Sequence, residues 1–411
     1  VMIAAVLMVL FGCGNVKTVE PLPGAEKQRK IDQLRSLPYL GGTTSRKDES
    51  TGVVFFDRER TCRGCRLYTV QMLSRAELIT VEGKVLWKWH YPGNDRWERA
   101  ELLPGGDLLV VGIEHFGRKD GRAKRGIPDS ARYAMRLDWS GRLLWKRKFP
   151  AHHDIELTPD GRILVLSFQR RLVPDIHSTI PTRDDCITLL EQDGTVVKSR
   201  SMLDAIRKAP EVFPLQPVKP SGLGRLPWVD LFHANSIEWM HHDSLFSKHD
   251  IYAPNNVLVC FRHQDRIAII NWPENRVVWS WGQEQTSGPH DARVLENGHI
   301  LLFDNGLGRG WSRAIEVDPL TGKIVWEYRN DPPSRFYTAS KGSGQRLPNG
   351  NTLLAESDRG RAIEVTPGGD VVWRFVCPYR LGDGKRAAIV RMIWHSRDFI
   401  DRLMTLRNTV R

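Results

Sequence analysis

The sequence has no long hydrophobic run: its N-terminal apolar stretch, Met2 to Phe11, is too short to cross a bilayer as a helix. It also lacks blocks of like charge. The formal net charge is +12, yet no run of Lys and Arg exceeds three residues. That dispersion argues against a dedicated nucleic-acid stripe. A basic excess still suits anionic partners, among them anionic membranes and small sulfate or phosphate esters. Cysteine is scarce, with six in 411 residues. Cys62-Arg63-Gly64-Cys65 is a lone CxxC with no second pair, so a four-ligand zinc site is not expected. In an oxidising compartment Cys62 and Cys65 are expected to form a local disulfide. Cys186, Cys260 and Cys377 sit in strand-like apolar contexts and read as ordinary buried thiols.

The apolar stretch closes in Leu10-Phe11-Gly12-Cys13, the form of an export signal. It resembles a bacterial lipobox, which implies lipidation of Cys13 and a protein anchored to the cell envelope in the periplasm. Residues 1–13 are then signal peptide and lipobox, and residues 14–50 a polar tether.

What the chain has in abundance is repetition. A polar or glycine turn, two apolar residues and usually a Trp recur at Gly83 to Trp87, Gly141 to Trp145, Asn275 to Trp279, Gly322 to Trp326 and Gly369 to Trp373. A sixth copy, Gly194 to Lys198, ends without the Trp. A period of about 40–55 residues with short β-type runs is the signature of propeller blades. Each repeat has one grammar: an inner strand, a tight glycine turn, an apolar strand, a third strand and the Trp strand. Blade five shows it: His290 to Leu295, the hairpin dipeptide Asn297-Gly298, Ile300 to Phe303, Ala314 to Asp318, then Gly322 to Tyr328. The predicted fold is all-β, a six-bladed propeller of four-stranded blades over residues 51–380, with blade one starting near Gly52. A helical or extended strap follows at 381–411. Ser201 to Trp228 breaks the pattern and is expected to lie over one mouth. The Trp residues read as structural wedges between blades.

Inner strands crowd round a central channel, so residues at equivalent positions of different blades converge at one mouth. Eight residues before the hairpin glycine lie His153 in blade three, His290 in blade five, Glu98 in blade two and Gly342 in blade six. Blade four has no such turn, but its inner strand opens with His233-Ala234-Asn235-Ser236. Three blades thus put a His at or near one slot. Alternation points His152 away from the face that His153 presents. Arg262, at the end of the apolar strand Val257 to Phe261, can present a planar fork to an oxyanion. Glu98 is the one carboxylate at the slot, so no metal is expected there.

These stretches carry a resemblance. Asp230 to Ile237, Arg262-His263-Gln264, Gly288 to Arg293, Leu302 to Gly306, Ser312 to Glu316 and Gln345 to Leu353 are similar to the bacterial arylsulfotransferases, the PAPS-independent aryl-sulfate sulfotransferases. The likeness spans residues 52 to 400 and is most specific in blade five. It implies a cofactor-free six-bladed propeller that moves a sulfuryl group between phenols through a sulfated His. By motif, His290 matches the sulfated position, and His233 and His153 the two other channel histidines. Asn235 and Arg262 match the groups that hold the sulfuryl oxygens. The implied partners are aryl sulfates and phenols, not nucleic acid. The large N-terminal β-sandwich of the best-known members is absent, and the loop Thr338 to Lys341 aligns only loosely. Ala314 to Trp326 is also similar to the tryptophan-docking repeat of PQQ quinoproteins and their non-catalytic relatives. A binding or scaffold lipoprotein is therefore the alternative function.

Overall fold

The fold comes from a computed structural model that describes residues 42–44, 50–93, 96–114, 127–221 and 227–409. The lipobox at Cys13 and most of the 14–50 tether lie outside the described residues. Six antiparallel blades form a propeller ring. Blade five runs from the axis outward as His290–Val294, Ile300–Asp304, Arg313–Asp318 and Lys323–Tyr328. Its second strand is wholly buried, which is why it reads as a continuous apolar run. The outermost strand alternates between exposed and covered residues, because only one face meets a neighbouring blade. The hairpin turns close on the glycines: Gly106 N–H donates to Leu103 O at 2.9 Å, and Gly298 N–H to Leu295 O at 2.8 Å.

The repeated Trp has a specific task. Each indole Nε1–H donates to a backbone carbonyl of the next blade. Trp87 bonds Trp139 O (2.8 Å), Trp145 bonds Gln192 O (2.7 Å), Trp279 bonds Pro319 O (3.0 Å) and Trp326 bonds Pro367 O (2.9 Å). Trp373 of blade six bonds Val81 O of blade one at 2.8 Å, so the series runs round the ring. Blade three carries Lys198 in the Trp position, and Arg200 takes over there. Its guanidinium donates to Pro273 O at 2.8 Å and lies over the Trp272 ring.

Both ends of the domain close the ring, and this corrects the expected boundaries. Gly52–Phe56 does not open blade one. It pairs with Val371–Val376 as a fifth, outer strand of blade six. Blade one has no inner strand of its own near Gly52. Ile389–His395 supplies it, pairing with Cys65–Val70. The propeller therefore continues past residue 380, and the expected strap is a blade strand followed by the helix Arg397–Thr409. Ile400 and Leu403 of that helix are buried in a cluster with Leu67, Trp89 and Trp97. The tether expectation also changes at its end, where Gly42–Thr43 pairs with Arg386–Ala387. Cys62 and Cys65 are buried free thiols, not a disulfide. Cys186, Cys260 and Cys377 are buried free thiols as well. No helix among the described residues is long and apolar enough to cross a membrane.

Blade three departs from the regular form in a way that matters for function. Its central strands, Ile163–Val173 and His177–Leu190, are far longer than the six-residue strands elsewhere. Their extension brings in Val229–Asp230 as a parallel partner. The irregular stretch after Ser201 begins with the helix Met202–Arg207, whose N-cap Ser201 accepts from Asp204 N–H. The loop beyond it meets blade four, where Gln216 N–H donates to the Gln264 side chain at 2.8 Å. Trp373 is fully buried at the blade six to blade one seam. Trp373→Ala should cost about 3–5 kcal/mol, measured by urea unfolding. A change under about 1 kcal/mol would show that this seam does not close the ring.

Candidate active site

Four consecutive blades open their inner strands with a residue in the left-handed region: His153 (φ 57°), His233 (φ 48°), Asp291 (φ 53°) and Lys341 (φ 61°). None is glycine, and each such residue costs about 1–2 kcal/mol of backbone strain. In blades four and five the strain sits with a bulge, since pairing shifts register between Ala234 and Ser236 and between His290 and Arg293. The four strand starts meet at one mouth of the channel. A small cavity of about 50 Å³ lies there, lined by Glu98, His153, Asn235, His290, Lys341 and Arg391 among others.

His290 is buried on blade five. Its Nδ1 lies 2.7 Å from Asn305 Oδ1 and 3.0 Å from Gly288 O. Asn305 Nδ2 faces two carbonyls, Thr338 O at 2.8 Å and Lys341 O at 2.7 Å. Two acceptors must face the NH₂ end of an amide, so Oδ1 faces the imidazole. His290 Nδ1 therefore carries the proton and Nε2 the lone pair, with Lys341 N–H 3.3 Å away. Burial, reinforced by the Arg262 charge, pushes the His290 pKa down to about 3. The imidazole is neutral throughout the physiological range.

His153 is fixed by a similar relay. His152 is fully buried and its Nε2 lies 3.0 Å from Ser167 O, which can only accept. Its Nδ1 must then accept from His153 Nδ1–H at 2.7 Å. That leaves the lone pair of His153 on Nε2. Burial brings His153 down to about 3, against the opposing pull of Glu98. Glu98 accepts the His153 backbone N–H at 3.0 Å and a bond from Arg132 at 3.3 Å. Burial opposes its ionisation, but Arg132 and His153 outweigh that and bring it to about 2.

His233 and Arg262 stand beside the cavity and do not line it. The His233 ring lies 5.1 Å from His153 and 4.6 Å from His263, centre to centre. His233 Nδ1 donates to Asp230 Oδ2 at 2.5 Å. Burial keeps His233 neutral despite Asp230, and Asp230 stays ionised because His233 and Arg183 outweigh its burial. Arg262 is almost fully buried. His263 Nδ1 donates to Asp230 O at 2.6 Å, so its Nε2 accepts from Arg262 Nη1 at 3.0 Å. Arg262 Nη2 reaches Ala339 O at 3.4 Å. Asn235 lines the cavity, but both ends of its amide hold backbone around His290: Nδ2 donates to Pro289 O at 2.8 Å and Oδ1 accepts from Asp291 N–H at 3.2 Å. The geometry makes it a positioning residue for His290.

Several participants were not singled out from the sequence. Asp230, His263 and Asn305 lay inside the matching motifs but carried no assigned role. Asp185, which accepts Ala234 N–H at 2.7 Å and lies 3.4 Å from His152 Nε2, comes from the lengthened hairpin. In blade six Lys341 lines the cavity together with the expected Gly342. Lys341 Nζ pairs with Asp358 at 3.0 Å. Gly342 follows because its φ is 109° and a Cβ would stand 2.5 Å from the Phe303 ring. Asp230, His233 and His263 have ligand atoms within 4.8 Å of one another. The Arg262 guanidinium on His263 Nε2 makes that trio unsuited to a metal ion, which would bring a second positive charge against it.

The six-bladed propeller thus gathers neutral imidazoles and a buried guanidinium at one mouth of its channel. The arylsulfotransferase (ASST) family model matches residues 133–377, and the chain belongs to that family. Aryl sulfotransfer is accordingly the class of its activity. No curated protein matches the chain. Among solved structures, a Bacteroides caccae protein of unknown function is similar in fold. It has a TM-score of 0.50 at 13% identity, over 80% of this chain and 98% of the other. A streptogramin B lyase aligns at TM-score 0.45 and 12% identity, over 88% of this chain and 95% of that one.

The pH dependence of stability follows from the buried imidazoles. Folded His153 and His290 titrate near 3, while the ordinary value is 6.5. The unfolded chain takes up their protons first, so their contribution is full above pH 6.5 and is lost as pH falls toward 3. The slope is at most about 1.4 kcal/mol per pH unit for each imidazole. Unfolding free energies measured from pH 7 to 4 should fall less steeply in a His153→Gln/His290→Gln variant. An equal slope would show that these imidazoles are charged in the folded protein.

Proposed function

We propose that the chain transfers a sulfuryl group from a phenolic sulfate ester to a phenol through a sulfated His290, without a nucleotide-activated donor. The observation that carries this reading is the locked tautomer of His290, which puts a lone pair on Nε2 in the cavity it shares with His153. Sulfuryl transfer resembles phosphoryl transfer: the electron-poor group needs in-line positioning and cationic support of its oxygens. Arg262 supplies the charge, and the Lys341 N–H beside Nε2 supplies a donor. In the first half-reaction Nε2 attacks sulfur, the S–O(aryl) bond breaks and an N–S bond forms. The Nδ1 proton stays in place, and Asn305 Oδ1 stabilises the positive imidazole that results. The bound sulfonate and Asp230 together favour a proton on His233 Nε2, which passes to the departing aryl oxide. An acceptor phenol then returns a proton to His233, attacks sulfur and restores neutral His290. His153, with its own lone pair fixed on Nε2, orients either phenol.

With 4-nitrophenyl sulfate and phenol, turnover should follow ping-pong kinetics. Donor alone should leave one added sulfonate on His290 by intact mass and peptide mapping. His290→Ala should lower kcat by about 10⁴-fold or more with the fold intact. Unchanged turnover in that variant would reject the nucleophile, and a folded protein inert to a broad donor panel would leave a binding propeller. We also propose that lipidation of Cys13 holds the protein at the cell envelope. Cys13→Ala should move it from membrane to soluble fractions, and persistent membrane association would end that assignment.

A further inference from the structure

The channel has a second chamber. A belt of charges crosses it: Asp154 bonds Arg293 at 2.6 Å, Arg99 lies 3.4 Å from Asp154, and Arg391 pairs with Asp291. Beyond this belt, at the hairpin ends of the inner strands, lies a cavity of about 890 Å³. Most of its carboxylates have a guanidinium partner. Glu101 pairs with Arg99, Glu156 with Arg293 at 3.4 Å, and Glu316 with Arg346.

Glu238 is different. It is only 6% exposed, and its Oε2 accepts Val294 N–H at 2.7 Å. Among the described residues no Lys or Arg forms an ion pair with it; Oε1 faces His241 Nδ1 at 4.0 Å and His242 Nε2 at 3.9 Å. His242 Nε2 is itself buried and makes no hydrogen bond. The Arg293 charge is felt by Glu238 but makes no contact with it, and a buried imidazole nitrogen with no hydrogen bond is costly. A metal ion between Glu238 and His242 would engage both.

We propose that Glu238, His241 and His242 bind a divalent first-row transition-metal ion of the zinc type at this mouth. The three ligand atoms lie within 4.8 Å of one another, and an N₂O set suits such ions. Tetrahedral bonds of about 2.0–2.2 Å would hold neighbouring ligands about 3.3–3.5 Å apart. Each imidazole nitrogen therefore needs to draw in toward Glu238 by roughly half an ångström, and one of the two rings, now 4.2 Å apart centre to centre with 31° between their planes, must turn so that both nitrogens face the ion. His241, half exposed, can do so. It gives up its 2.9 Å bond to Trp239 O, and its proton moves from Nδ1 to Nε2. All three ligands come from the end of the inner strand Ala234–Trp239 and the turn that follows, so the belt keeps this ion apart from the sulfuryl site. The remaining coordination position opens to the 890 Å³ chamber, where water or an oxygen- or nitrogen-donor ligand would complete it.

The test is zinc titration of the tag-free, chelator-stripped full chain by calorimetry, with the visible spectrum of Co²⁺ as a second readout. One equivalent should bind, with the absorption of a four-coordinate site. His242→Ala and Glu238→Gln should each weaken binding about 10- to 100-fold with metal-free unfolding temperatures close to the parent's. His241→Ala, at a half-exposed position, provides a variant whose folding is safe. His233→Gln should bind zinc as the parent does. Absence of stoichiometric binding, undiminished affinity in the Glu238, His241 and His242 variants, or loss of binding only in His233→Gln would each overturn the site. None of these readouts depends on sulfuryl transfer.

Discussion

The indole-to-carbonyl bond between adjacent blades is the constraint on which the rest of the molecule stands. A blade alone is a small twisted sheet with two faces to cover, and it becomes stable only between neighbours. The bonds from Trp87, Trp145, Trp279, Trp326 and Trp373 fix the angle between successive blades, and Arg200 does so where Lys198 has displaced the Trp. Because these contacts close a ring, the inner strands have no freedom to spread. The starts of four of them must then meet at one mouth, and the left-handed strain at His153, His233, Asp291 and Lys341 is held by the ring.

Within that frame the chemistry is set by proton placement more than by charge. His290 and His153 are both neutral, and both have Nδ1–H committed to a fixed acceptor, Asn305 Oδ1 and His152 Nδ1. Each acceptor is fixed in turn by carbonyls that can only accept. Two nitrogen lone pairs are thereby held in place without any titration near neutral pH. Arg262 holds its positive charge beside the cavity, with its guanidinium oriented by His263 and Ala339 O. His263 carries no role in the sequence reading, and in the structure its two nitrogens tie Arg262 to the Asp230 backbone.

Much of the fold was legible because its signals are local. The glycine turn and Trp strand recur within each blade, and the offset from hairpin to slot located His153 and His290. The closing strand was not legible for the opposite reason. Ile389–His395 has no hairpin glycine after it, and its partners sit at the far end of the chain: Trp394 Nε1 donates to Arg63 O across 331 residues. Gly52–Phe56 reads as an ordinary first strand, and only the ring geometry puts it on blade six. The same holds for the site. Asp185 reaches His152 because two strands of blade three are lengthened, and Lys341 enters the slot through a backbone conformation that a Lys residue does not advertise. The arginine relay of blade three shows that even the most regular signal can change its residue and keep its task.

Closure by both ends also sets an order of assembly. The innermost strand of blade one follows the strands of the other blades in the sequence, so Cys65–Val70 keeps an open edge until Ile389–His395 is in place. Without that one segment the ring is unlatched, however complete the other blades are.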